Sequence, residues 1–162
     1  MLGFVLSGNE QIAVRLTAAL LIGAGLGLNR ELHGKAAGLR THALVGLGAA
    51  AATMVAIGSP GSSMVSDSGT VGRVVQGILT GIGFLGAGVI LRDPSGHVHG
   101  LTTAATIWIC AVLGIVCGVG DWRVLGIALG LTILVLVFGR SIERVAEAFR
   151  KRRGPTSTDT KG

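Results

Sequence analysis

Residues 71–91 read Val-Gly-Arg-Val-Val-Gln-Gly-Ile-Leu-Thr-Gly-Ile-Gly-Phe-Leu-Gly-Ala-Gly-Val-Ile-Leu, an apolar run that carries six glycines. In water each glycine weakens a helix by about 1 kcal/mol relative to alanine, so such a run makes a poor soluble helix. In a bilayer every backbone N–H and C=O needs an internal partner, so a helix is still the available structure, and glycine becomes a surface for close backbone approach. Gly81, Gly83 and Gly86 also spell GxGxxG. That motif binds dinucleotides only between a strand and a soluble helix of a βαβ unit, and neither context is present.

The rest of the chain agrees with a membrane setting. It is 162 residues long, 49% hydrophobic and 14% charged, with mean hydropathy +0.69, whereas charged residues make up about 25% of an ordinary soluble domain. Apolar windows predict five spans at 11–28, 42–57, 71–91, 101–119 and 124–138, the last completed by Arg140 reaching the interface. The fold class expected is all-α, a polytopic bundle of about five transmembrane helices. Residues 1–140 form the membrane domain and 141–162 a basic cytoplasmic tail with a disordered end. No basic residue precedes Arg15, so the first span reads as a retained anchor and not a cleavable leader.

The net charge of +6 is unevenly placed. Arg30, Lys35, Arg40, Arg92, Arg140, Arg144, the run 150–153 and Lys161 all fall on one side of a five-span arrangement. The positive-inside rule then puts the N-terminus outside and the C-terminus in the cytoplasm. The bilayer itself is the first partner, with the basic run against anionic head groups, and nucleic acid is not expected.

Small residues recur at four-residue spacing. Gly77 and Gly81, Gly126 and Gly130, and Gly114 and Gly118 each form a pair of this kind, with Gly23, Gly25, Gly27 and Gly48 on the first two spans. Gly77, Gly81, Gly83, Gly86, Gly88, Gly126 and Gly130 are expected to pack helices, within one chain or between copies. Cys110 and Cys117 lie seven apart on one span, about 10 Å along a helix, too far for a disulfide.

Ionisable and polar groups inside spans are the functional candidates. Arg15, Asp67, Arg73, Gln76, Thr102 and Thr103 are candidates for an intramembrane polar cluster or for ligands, with Arg73 meeting Asp67, Glu10 or a carbonyl. Asn29, Arg30 and Glu31 close the first span opposite Arg40 and His42, where a Glu31–Arg40 pair would lock the hairpin and Thr41 would cap the second helix. His97 and His99 have weak metal spacing, and no metal, cofactor or catalytic residue is expected.

Asn29-Arg30-Glu31 with Ala37-Gly38-Leu39-Arg40-Thr41-His42-Ala43-Leu44-Val45, then 81–88, then Gly100-Leu101-Thr102-Thr103-Ala104-Ala105-Thr106-Ile107-Trp108, resemble the MgtC/SapB family of bacterial inner-membrane proteins. The resemblance covers roughly residues 12–120. It implies a plasma-membrane protein linked to magnesium limitation and, in pathogens, to virulence, acting by self-association or by modulating another membrane protein. It also implies the short form of the family, without a soluble C-terminal domain. Asn29 stands where the family usually has an acidic residue, and Thr70 where it has an aspartate before the arginine matching Arg73. The alternative is a transporter or channel for Mg²⁺ or another small ion, using Asp67, Gln76, Thr80, Thr102, Thr103 and Thr106. Mg²⁺ sites usually take one or two carboxylates, and acidic residues here are scarce and at span ends.

Overall fold

In a computed structural model the described residues of the protein form five long helices: α1 (Gly8–Glu31), α2 (Leu39–Ile57), α3 (Ser68–Val89), α4 (Leu101–Val119) and α5 (Trp122–Arg152). Residues 7–61, 68–92, 94 and 98–152 are described. All five helices contain a segment long and apolar enough to cross a membrane. The run 81–86 lies inside the unbroken helix α3, so the GxGxxG spelling has no strand before it.

Local chemistry sets the helix ends. Ser7 and Glu10 form a reciprocal capping box, which starts α1 three residues before the apolar window. α2 begins at Leu39 with Gly38 as its N-cap, not Thr41. The Glu31 side chain explains this, since its Oε2 accepts the Leu39 N–H at 3.0 Å and satisfies one of the orphan donors. The same bond takes the Glu31 carboxylate to backbone, not to the expected Arg40. Between α3 and α4 a two-stranded antiparallel ribbon, β1 (Leu91–Arg92) and β2 (Val98–His99), pairs Leu91 with His99 and Arg92 with Val98.

The chain divides into two units, at 1–125 and 126–162. In the first, α2 and α4 form the centre, α1 packs on both, and α3 lies mainly along α4. More than half of the α4 span is buried (56%), against 6% of the α3 span. The core is small-residue and aliphatic: Ala49, Ala50, Ile107, Cys110, Ala111, Leu113 and Cys117 are sealed from solvent. Cys110 and Cys117 are both free thiols.

Backbone contacts replace side-chain interdigitation at the centre. A Cβ on Gly114 would collide with the Gly46 carbonyl oxygen, and one on Gly118 would come within 2.7 Å of the Ala50 oxygen. Gly23 abuts the His42 carbonyl in the same way, and a Cβ on Gly27 would lie 2.6 Å from the Gly38 oxygen. Gly46 completes the set, 2.8 Å from Ala19 O by the same measure. The α3 glycines behave otherwise. Cβ positions on Gly77, Gly81, Gly83 and Gly88 meet nothing within 4 Å, and only Gly86 touches a neighbour, the Ala104 methyl at 3.5 Å. Of these five, the expected packing within the chain is met at Gly86, and it is corrected for Gly77, Gly81, Gly83 and Gly88, which make no such contact with the described residues. Half-buried aliphatic residues line the side of α3 turned to the bundle, and Gly77, Gly81, Gly83 and Gly88 lie on the exposed side.

The second unit is the body of α5. Gly126 and Gly130 sit one turn apart on it, and the Thr132 hydroxyl donates to Ala128 O at 2.7 Å. The helix continues past the apolar segment through the basic stretch to Arg152. Asp67 and His97 lie outside the described residues.

Candidate functional site

The most polar buried feature lies where α1 ends and α2 and α4 begin. Gly27 lets α1 approach the start of α2 closely, so Arg30, in the last turn of α1, faces inward and is 8% exposed. Its Nη2 donates to Thr103 Oγ1 in the first turn of α4. His42, fully buried in the first turn of α2, places Nδ1 3.0 Å from Gly38 O. A carbonyl oxygen can only accept, so Nδ1 carries a hydrogen. The other ring nitrogen, Nε2, lies 3.4 Å from Thr106 Oγ1, and the Thr106 hydroxyl donates to Thr103 O at 2.8 Å. Cys110 Sγ donates to the His42 carbonyl at 3.1 Å. Arg30, His42, Thr103, Thr106 and Cys110 thus stitch three helices with polar contacts.

Above this network the chain turns through Gly34 and Ala37, both at positive φ (60° and 59°). An open depression of about 600 Å³ lies over the turn, lined by Glu31, Gly34, Lys35, Gly38, Leu39, Arg40 and Thr41. Asn29 and Arg40 are exposed, and Asn29 O contacts His33 Nδ1 at 2.6 Å.

The remaining candidates do not gather into one cluster. Thr103 and Arg15 mark opposite ends of α4. Arg15 Nη1 donates to Gly118 O at 3.0 Å, and its guanidinium covers Gly120, whose φ of 85° ends the helix. The exposed carbonyls and negative dipole end of α4 account for that position. Arg73 is exposed and donates from Nη2 to Thr70 Oγ1, 3.0 Å away on its own helix. It is held by that hydroxyl instead of a buried partner. Gln76 and Thr102 are exposed as well.

Sequence reasoning missed Gly46 as the central contact and Cys110 as a donor. The available signal was spacing on α4, where 103, 106, 110, 114 and 117 follow one helical face. Chemically, the network presents a guanidinium to Thr103, one of the threonines that an ion-binding reading would use. Thr103 Oγ1 accepts from the Arg30 guanidinium, which sets a fixed positive charge where a cation ligand would have to act, while Thr106 donates its proton to Thr103 O. Among the described residues no group of three or more His, Cys, Asp or Glu could hold a metal ion.

Residues 16–145, which include the whole network, match the MgtC family. The chain belongs to that family. Within it, protein SrpB of Synechococcus elongatus is 44% identical over 142 residues, covering 83% of this chain and 78% of that protein. Protein MgtC of Salmonella typhimurium is 44% identical over 123 residues, covering 76% of this chain and 48% of its own length. Protein MgtC of Brucella abortus is 40% identical over 142 residues, covering 88% and 57%. The chain thus spans about half the length of the MgtC relatives it matches. No solved structure is a significant match.

Proposed function

We propose that this MgtC-family protein is a non-enzymatic component of the bacterial plasma membrane that supports adaptation to low magnesium, and virulence in a pathogen, by associating with itself or with other membrane proteins. The observation that carries the reading is the buried Arg30–Thr103–Thr106–His42 network. It fills the polar interior of the bundle with internal hydrogen bonds and a fixed positive charge, which repels Mg²⁺ from the oxygens that a conduction path would need. Family membership supports the magnesium link. The basic residues Arg30, Lys35, Arg40 and those of 140–153 support a cytoplasmic location for this end of the bundle and for the C-terminus.

Two measurements test the proposal. Deleting the gene should slow growth in low-magnesium medium and leave growth in replete medium unchanged, with the full chain restoring it. Purified protein in liposomes loaded with a magnesium indicator should give no flux above empty vesicles. Sustained flux that is lost on Thr103→Val would replace the proposal with the transporter reading.

A further inference from the structure

α3 is polar on the wrong side for a helix in lipid. Its half-buried Val75, Ile78, Leu79 and Ile82 turn toward the bundle, while Arg73, Gln76, Thr80 and Phe84 follow one another at helical spacing on the exposed side. Gln76 and Thr80 are eight and twelve residues into the helix, about 12 and 18 Å from its start, and so lie within a hydrocarbon layer about 30 Å thick. No hydrogen bond joins either side chain to another described residue. An amide facing acyl chains costs several kcal/mol in the absence of a partner, so this face calls for a polar surface opposite.

We infer that the outward face of α3 docks on α3 of a second copy, in a two-fold dimer with its axis along the membrane normal. This names the partner for the association proposed above and rests on that reading. The axis brings the same residues together at the same depth. Glutamine and threonine side chains each donate and accept, so Gln76 and Thr80 can pair with their own counterparts, which a carboxylate or an ammonium could not do. Gly77 and Gly81, open to space at their Cβ positions, let the backbones approach. Phe84, 82% exposed, is the bulky apolar group on the face and fits against glycine on the facing helix. Arg73 lies one turn nearer the helix start and is already engaged by Thr70, which directs its charge toward the interface. α5 is chemically less suited to cover this face. Its apolar span offers only the Trp122 N–H, Arg123 and Thr132 as polar side-chain groups, and the Thr132 hydroxyl is donated to its own helix.

The test uses the full chain in native-lipid nanodiscs and in membranes. Mass photometry should give two copies per particle. Thr80→Cys should cross-link into a disulfide dimer under mild oxidation, whereas Leu44→Cys, an exposed position on α2, should not. Gln76→Leu with Gly81→Leu should weaken dimerisation at least tenfold, and Gln76→Asn, which keeps the amide, should weaken it less. A monomer, equal cross-linking at Leu44→Cys, an intrachain link from Thr80→Cys, or a second protein in the particle would overturn the inference. The cysteine experiment stands even if the leucine variants fail to fold. A monomer that still restores low-magnesium growth removes the dimer and keeps the proposed function; a dimer without a growth effect does the reverse.

Discussion

Two glycine-rich regions of this molecule use the same residue in opposite ways. On α4, Gly114 and Gly118 are pressed against the backbone of α2, with no space for even one carbon. On α3, Gly77 and Gly81 have the same four-residue spacing and face open space. Spacing alone therefore does not distinguish a contact already made from a surface left available. The residues opposite the glycines do. α4 buries its glycines among Cys, Ala and Ile, whereas α3 turns its aliphatic side inward and leaves Gly77 and Gly81 beside Gln76 and Thr80.

The largest effect should come from breaking the used surface. Gly114→Leu would drive a side chain into the Gly46 carbonyl and the Ala49 methyl, which lies 3.0 Å from the Cβ position. Neither can yield without separating α2 from α4. Overpacking of a core commonly costs 1–3 kcal/mol, and with backbone on both sides about 3 kcal/mol or more is expected. Thermal unfolding in detergent, followed by size-exclusion, should show a large fall in midpoint or loss of the monodisperse peak. A midpoint unchanged from the parent chain would refute the α2–α4 contact.

The sequence made the five helices legible because the bilayer demands long uninterrupted apolar segments, and hydropathy reads these directly. The helix starts were less so. α2 begins three residues before its apolar window because Glu31, eight residues away, caps Leu39. Such a bond depends on how the α1–α2 turn folds. The candidate site was legible in its parts only. Arg30, His42 and Thr103 stood out as polar residues at span ends, but His42 and Thr106 are 64 positions apart and nothing local links them. Arg15 and Arg73 read alike in the sequence, as arginines inside apolar spans. The structure separates them, because a helix C-terminus lies within reach of one and a threonine on the next turn within reach of the other.

Effects at the polar stitches should be intermediate. Thr103→Val keeps the shape of the side chain and removes the acceptor for Arg30. Hydrogen bonds to charged groups contribute about 1.5–3 kcal/mol in water-soluble proteins, but those between membrane helices average about 0.6. A loss of about 1–2 kcal/mol follows, less than that of Gly114→Leu, measured as the shift in unfolding midpoint. Arg15→Met removes one bond to Gly118 O and a cation at the end of α4, and about 0.5–1 kcal/mol is expected. If Arg15→Met proved the more damaging of the two, the polar weight of the fold would lie at the far end of α4 and not at the Arg30 network.

The smallest effect, and the one that sharpens the comparison most, should come from Gly77→Leu on the monomer. No atom lies within 4 Å of the new Cβ, so there is nothing to displace. Leucine also forms helix more readily than glycine, by somewhat under 1 kcal/mol. The unfolding midpoint of the detergent-solubilised monomer should therefore hold steady or rise slightly, while Gly114→Leu collapses it. A fall comparable to that of Gly114→Leu would mean that α3 is buried within the single chain, and the two glycine surfaces would then be doing the same work.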